Sequence, residues 1–190
     1  GWPPMESDAH YGVTLAALGV GMAPGDYASS EEAKAGVEGI RRYLAKNSPP
    51  SLHHQAMLLW ASANLEGLMK KKDQEALLTA LFKLQRPDGG WAMASLLAGW
   101  DGHKRKDNKK QELEKSDGYG TGFVTYILRQ GGVPATDARL RKAVAKMALT
   151  TPAPMAISVS LGMGFSLHRP GKAFLGPRFS GLLNDIGNQG

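Results

Sequence analysis

The side chains in this chain best suited to move a proton or hold a metal ion stand near the starts of apolar segments. His10 lies two residues after Asp8, and the adjacent pair His53 and His54 follows Ser51. There is no cysteine, which removes disulfides, thiolate zinc sites and cysteine nucleophiles together. Imidazole remains as a nitrogen ligand. On a helix, however, neighbouring side chains point about 100° apart, so His53 and His54 do not easily share one ion. The plainer expectation is that all three histidines are polar side chains at helix starts, with no metal and no cofactor. Asp8 and Asp117 invite a similar reading. Each opens an apolar run, and a carboxylate at that position caps a helix, worth ~1 kcal/mol. Other reaction signatures are missing. Gly118-x-Gly120-x-Gly122 lacks the preceding strand and the spacing of a dinucleotide loop, and no phosphate loop or Gly-x-Ser-x-Gly elbow occurs.

The elements that would position these groups repeat. Ser7-Asp8-Ala9-His10-Tyr11-Gly12 opens a run ending near Gly21, and Ser116-Asp117-Gly118-Tyr119-Gly120-Thr121-Gly122 opens another ending at Gly131-Gly132. Between them, Pro49-Pro50-Ser51 precedes Ala56-Met57-Leu58-Leu59-Trp60-Ala61. Each run leads into an amphipathic helix. The first starts at Ser29/Ser30 with Glu31 and Glu32 in its first turn and sets Ala33, Val37, Ile40 and Leu44 on one face. The second is expected to be capped by Asp73 and carries Leu77, Leu78, Leu81, Phe82 and Leu84; the third starts near Asp137 and carries Leu140, Val144 and Met147. An apolar helix implies burial on both flanks, and a single stripe implies one wet face. The chain therefore reads as all-α, three antiparallel helix pairs with inner helices covered by outer ones, and three pairs are a minimum array.

Composition fits one soluble domain: 42% hydrophobic and 21% charged residues among 190, with mean hydropathy −0.28. The excess of 23 basic over 17 acidic residues gives +6, compatible with several partners and specific for none. No run is long enough for a transmembrane helix. A charged insertion over 94–115 is expected as a solvated loop. Its densest part, 101–115, holds six basic and four acidic residues and no interleaved aromatic, so no nucleic-acid partner is expected. Lys70-Lys71-Lys72 reads as a polar linker. Residues 151–190 change character, with seven glycines, four prolines and a single acid, Asp185. The apolar positions Met155 to Phe165 alternate with small residues, as in a strand. This tail is expected to be irregular and poorly ordered. The joint loss of periodicity and acids suggests a gene fragment whose end is read in a shifted frame.

Gln85-Arg86-Pro87-Asp88-Gly89-Gly90-Trp91 is a Gln-x3-Gly-x-Trp arrangement. It resembles the QW motif of the terpenoid cyclase and protein prenyltransferase superfamily, and within it the squalene–hopene cyclase-like proteins. The likeness covers roughly residues 1–150, with Gly1-Trp2 standing as the tail of a preceding copy. In that motif Gln85 would bond backbone at the end of an outer helix, Gly89 would allow the turn inward, and Trp91 would pack against the next repeat. The resemblance implies an α/α toroid of which this chain supplies an incomplete barrel. It implies Asp8 as the acid that protonates an alkene, and Tyr11, Trp60, Tyr119, Phe123 and Tyr126 as aromatics around the substrate. Glu6-Ser7-Asp8-Ala9 departs from the family's Asp-x-Asp-Asp, and the cap reading of Asp8 leads. The prenyltransferases' Asp, Cys and His zinc site cannot be assembled here without Cys. Two functions follow. One is a fragment of a cyclase acting on a linear isoprenoid. The other is a non-catalytic helical-repeat scaffold for a protein or lipid partner.

Overall fold

The structure is a computed structural model that describes residues 8–97, 108–110, 112, 114–150, 157–158 and 166–167. Among them are six α-helices: α1 Ala9–Met22, α2 Glu31–Lys46, α3 Leu52–Ser62, α4 Lys71–Lys83, α5 Gly118–Gln130 and α6 Ala138–Thr150. The only strands among the described residues are β1 Ile157–Ser158 and β2 Ser166–Leu167, paired antiparallel. They are the described part of the tail, and the other expectations for 151–190 lie outside the described residues. The all-α expectation therefore holds apart from this short pairing.

Local chemistry sets most boundaries. Asp8, Ser51 and Asp117 cap α1, α3 and α5, each accepting first-turn N–H bonds, and Ser30 caps α2 in the same way. Asp137 does this for α6, accepting from the N–H groups of Arg139 and Leu140. Asp73 does not cap α4. Lys70 occupies the cap position without a side-chain bond, and Asp73 sits inside the first turn, where its charge still favours the positive helix end.

Packing follows the pattern of the pairs. α1 lies against α3 and α3 against α5, while α2, α4 and α6 each pack on the helix that precedes them. The backbones of the first two pairs come close where Gly21 of α1 meets Asn64: a Cβ at Gly21 would lie 2.6 Å from the Asn64 carbonyl oxygen. The outer stripes point inward as expected. Ala33, Val37 and Leu44 of α2, Leu77 and Leu81 of α4, and Leu140 of α6 are buried; the other two expected α6 positions, Val144 and Met147, are only partly buried, and Ala143 is the second α6 residue in the core. Ile40, Leu78, Phe82 and Leu84 pack against them. One expectation fails. α1 is apolar throughout yet is not buried on both flanks, since Leu15 is 43% and Met22 37% exposed. The start of the charged insertion is also not a solvated loop. Residues Met93–Leu96 form a 3-10 turn that buries Leu96 and Leu97; 98–107, 111 and 113 lie outside the described residues.

The Gln85–Trp91 segment joins the second pair to the third. Trp91 is fully buried, and its indole N–H donates to the Leu81 carbonyl at 2.7 Å. Its backbone N–H donates to Thr121 Oγ1 at 3.1 Å, and its carbonyl accepts from the Asp117 N–H at 2.9 Å. Gln85 Nε2 donates to the Gly89 carbonyl at 2.9 Å and to the Arg139 carbonyl, in the first turn of α6, at 2.8 Å. Gly89 has φ +88° and faces Lys142 of α6, whose carbonyl oxygen would lie 2.8 Å from an added Cβ. The Arg139 guanidinium lies 3.5 Å from the centre of the Phe82 ring, a further α4–α6 contact. We predict that Trp91→Ala lowers stability by about 3–5 kcal/mol. Trp91→Phe, which removes the indole N–H but leaves the Leu81 carbonyl its bond from the Leu84 N–H, should cost about 0.5–1.5 kcal/mol. Denaturant unfolding midpoints would check both, and equal effects would mean the indole N–H bond carries nothing.

Candidate functional site

Because Asp8, Ser51 and Asp117 stand at the same register of α1, α3 and α5, the residues after each cap line up. The second residue after the cap is His10, His53 or Tyr119, and the third is Tyr11, His54 or Gly120. The three histidines, scattered in sequence, thus come together at one end of the inner layer. His10 and His54 rings are 5.7 Å apart, and His53 and His54 5.8 Å apart with ring planes at 89°. All three are buried, His53 completely.

Asp8 divides its oxygens. Oδ1 accepts from the His10 N–H at 2.7 Å and the Tyr11 N–H at 3.4 Å. Oδ2 lies 2.9 Å from His54 Nε2, but off the ring N–H axis, so that nitrogen has no aligned acceptor. On the other side His54 Nδ1 meets Ser51 Oγ at 2.7 Å, and Ser51 Oγ also accepts the His54 backbone N–H at 3.3 Å. The sequence Ser51–His54–Asp8 has the composition of a nucleophile–base–carboxylate relay. Its geometry is that of two helix caps joined through an imidazole, because the carboxylate arm is out of line. Asp117 makes the parallel arrangement with backbone alone: Oδ1 accepts from Gly120 N–H and Oδ2 from Met93 N–H, both at 2.6 Å.

His10 and His53 are different. Both nitrogens of each ring have no hydrogen-bond partner, an unusual condition for buried polar groups. Burial, reinforced by nearby His54, pushes His53 down from 6.5 to about 4. Burial is also the main cause that lowers His10, with His54 adding and Asp8 opposing. These imidazoles are therefore neutral at pH 7. No group of three or more His, Cys, Asp or Glu among the described residues is arranged to hold a metal ion.

The five aromatics fall into two contact groups. Tyr11 stacks on His53 (5.9 Å), Phe123 lies on His53 (4.8 Å), and Tyr119 stacks on Phe123 (6.2 Å), forming one run of rings at the capped end. Trp60 and Tyr126 form a separate edge-on pair at 4.9 Å, toward the other end of α3 and α5. Tyr119 is 46% exposed. Burial raises the Tyr11, Tyr119 and Tyr126 phenols, so they remain protonated. Sequence reasoning named these side chains but missed that Asp8 and His54, of different pairs, meet. The shared register after each cap was the available signal.

No protein-family model, curated protein or solved structure matches this chain. No helix among the described residues is long and apolar enough to cross a membrane.

The buried histidines make stability depend on pH. His53 binds its proton near 4 when folded and near 6.5 when unfolded, so between those values the unfolded chain holds more protons. Stability is complete above about pH 6.5 and falls as pH drops toward 4, by about 3 kcal/mol from His53, with His10 adding in the same direction. We predict that His53→Leu flattens this slope and leaves stability at pH 7 unchanged or raised, because no ring hydrogen bond is lost. Urea unfolding at pH 7.5 and 5 would measure it; an unaltered slope in the variant would refute the assignment.

Proposed function

We propose that this chain is a segment of an α/α toroid of the squalene–hopene cyclase-like kind, whose complete form cyclises a linear isoprenoid with Asp8 as the proton donor. The observation that carries the reading is the Gln85–Gly89–Trp91 contact set, in which Gln85 reaches the next outer helix and Trp91 the next inner one. Those contacts are what a motif must make to add helix pairs around a ring. The row α1–α3–α5 backed by α2, α4 and α6 supports inner and outer layers. Asp8 stands at the head of an inner helix, with Oδ1 fixed by first-turn N–H groups and Oδ2 beside His54 of the neighbouring inner helix. A proton on Oδ2 would be delivered to an alkene, and the π faces of Tyr11, Phe123 and Tyr119 stand nearest for the cation that results. An open row cannot exclude water from a carbocation, so this chain alone should give no turnover.

The alternative is a non-catalytic repeat scaffold binding a lipid or protein. It is favoured by the use of both Asp8 oxygens in capping and pairing. The two readings separate on the coding sequence extended both ways and on its product incubated with a polyprenyl hydrocarbon. The cyclase reading expects further Gln-x3-Gly-x-Trp repeats, and a cyclised product that Asp8→Asn abolishes. Activity unchanged by Asp8→Asn would remove Asp8 from the mechanism. Absence of further repeats would leave the scaffold.

A further inference from the structure

His10, His53 and His54 all lie on one seam, the one between α1 and α3. His10 of α1 stands 5.7 Å from His54 of α3, His53 of α3 stacks on Tyr11 of α1 at 5.9 Å, and His54 is edge-on to Tyr11 at 6.2 Å. His10 and His53 are buried, and no nitrogen of either ring has a hydrogen-bond partner. A proton added to either ring is a buried charge with no acceptor, which is costly until water reaches it.

Few charged or titratable groups face these rings. On α1 they are Asp8 and Tyr11. Asp8 Oδ1 accepts the His10 and Tyr11 backbone N–H groups, and Oδ2 lies 2.9 Å from His54 Nε2. A charge on His54 therefore has a carboxylate beside it, while charges on His10 and His53 have none. They would stand instead against the His54 ring, at 5.7 and 5.8 Å. On α5, Asp117 gives its oxygens to the Gly120 and Met93 N–H groups, and Tyr119 keeps its phenol proton. The outer helices add nothing: His54 and Asp8 are the charges that act on His10, and His54 the one that acts on His53.

The two seams of the inner row differ in what else closes them. Between α3 and α5, Trp60 meets Tyr126 and Leu59 meets Gly131, and the Trp91 bonds to Leu81 and Thr121 tie α4 to α5. None of these groups titrates between pH 7 and 4. At the capped end of the α1–α3 seam, the described polar and ring contacts are those of the histidines, Tyr11 and Asp8. Further along it is closed by apolar packing and the approach of Gly21 to Asn64, with Arg41 of α2 donating to the Glu66 carbonyl on the exposed side. α2 packs on α1, and the link at 47–51 joins this pair to α3. The first pair is thus a unit that can part from the rest.

We propose that the three histidines are an acid-operated latch: as pH falls to about 5, the α1–α2 pair comes away from α3 as a unit while α3 to α6 stay assembled. Release of α1 is the smallest movement that wets all three rings, since each is covered across that seam and His53 alone also lies on α5, against Phe123. A general loss of stability in acid does not require such a step. The proposal rests on the seam and not on the cyclase reading.

Hydrogen exchange read by mass spectrometry on the full chain, at pH 7.5 and 5 and corrected for intrinsic exchange rates, is the test. With His53 passing from about 4 when covered to 6.5 when wet, an opening that wets it is favoured about 30-fold more at pH 5. Protection of α1 and α2 should fall by at least that factor. At pH 5 it should lie at least tenfold below the protection of α5 and α6. In the double variant His10→Leu, His53→Leu, α1 and α2 should keep their protection at pH 5. Unchanged α1 protection between the two pH values overturns the proposal. So does exchange of α1 and α5 at one common rate at pH 5, which would mean that the whole chain opens together. Acid loss that persists in the double variant overturns it as well. None of these outcomes bears on product formation from an isoprenoid, so failure here and failure of the cyclase reading are told apart.

Discussion

The fold turns on the burial of Trp91. Among the described residues it is the one Trp, Tyr or Phe with no exposed surface, and hydrogen bonds hold it on two sides: indole N–H to Leu81 on its own outer helix, and backbone to Thr121 and Asp117 of the next inner helix. Leaving any of those polar groups unpaired in the core would cost about 1–3 kcal/mol. The position of α5 relative to α4 is therefore fixed before any of the side-chain packing between them is counted. Asp117 then does two jobs. It caps α5, and it binds the Met93 N–H, pinning the turn that buries Leu96.

Much of that was legible in the sequence because it is local. A cap needs only the right residue before an apolar run, and Asp8, Ser30 and Asp117 all cap where their types and positions said. The outer stripes were legible because one face is wet, and the alternation of wet and dry at helical spacing survives any detail of packing. Asp73 misled for a related reason. An acid in the first turn and an acid at the cap are both favourable, so composition alone does not distinguish them. Leu15 misled because an apolar residue reports a preference for burial, not the presence of a neighbour. Leu96 misled because a short apolar stretch beside a run of lysines takes on their character when the segment is read as a unit.

The site was legible in its parts and not in its assembly. His10 and the His53–His54 pair are separated by a full helix pair. They meet only because α1 and α3 run side by side from caps at the same height. The sequence states each cap; it does not state that two caps share a height. The stacking of Tyr11 on His53, and of His53 with Phe123, likewise depends on the lateral order of α1, α3 and α5. The separation of Trp60 and Tyr126 from the other aromatics could have been inferred, since both lie about nine residues after their caps, more than two turns further along.

Charge explains why neutral histidines stand at this place. α1 and α3 contain no Asp, Glu, Lys or Arg, and α5 contains only Arg129, whereas α2, α4 and α6 are rich in them. The inner layer is thus a medium in which an ion is poorly solvated. An imidazole placed there remains uncharged, as the lowered value for His53 requires, and can still offer a donor on one nitrogen and an acceptor on the other. Asp8 stands at its edge, partly open to water, with the backbone N–H groups of His10 and Tyr11 on its Oδ1. His54 is the bridge between these regimes, buried itself but touching Ser51 on one side and Asp8 on the other. Replacing it would uncouple the caps of two neighbouring inner helices, so its role follows from the height the caps share rather than from any property of histidine alone.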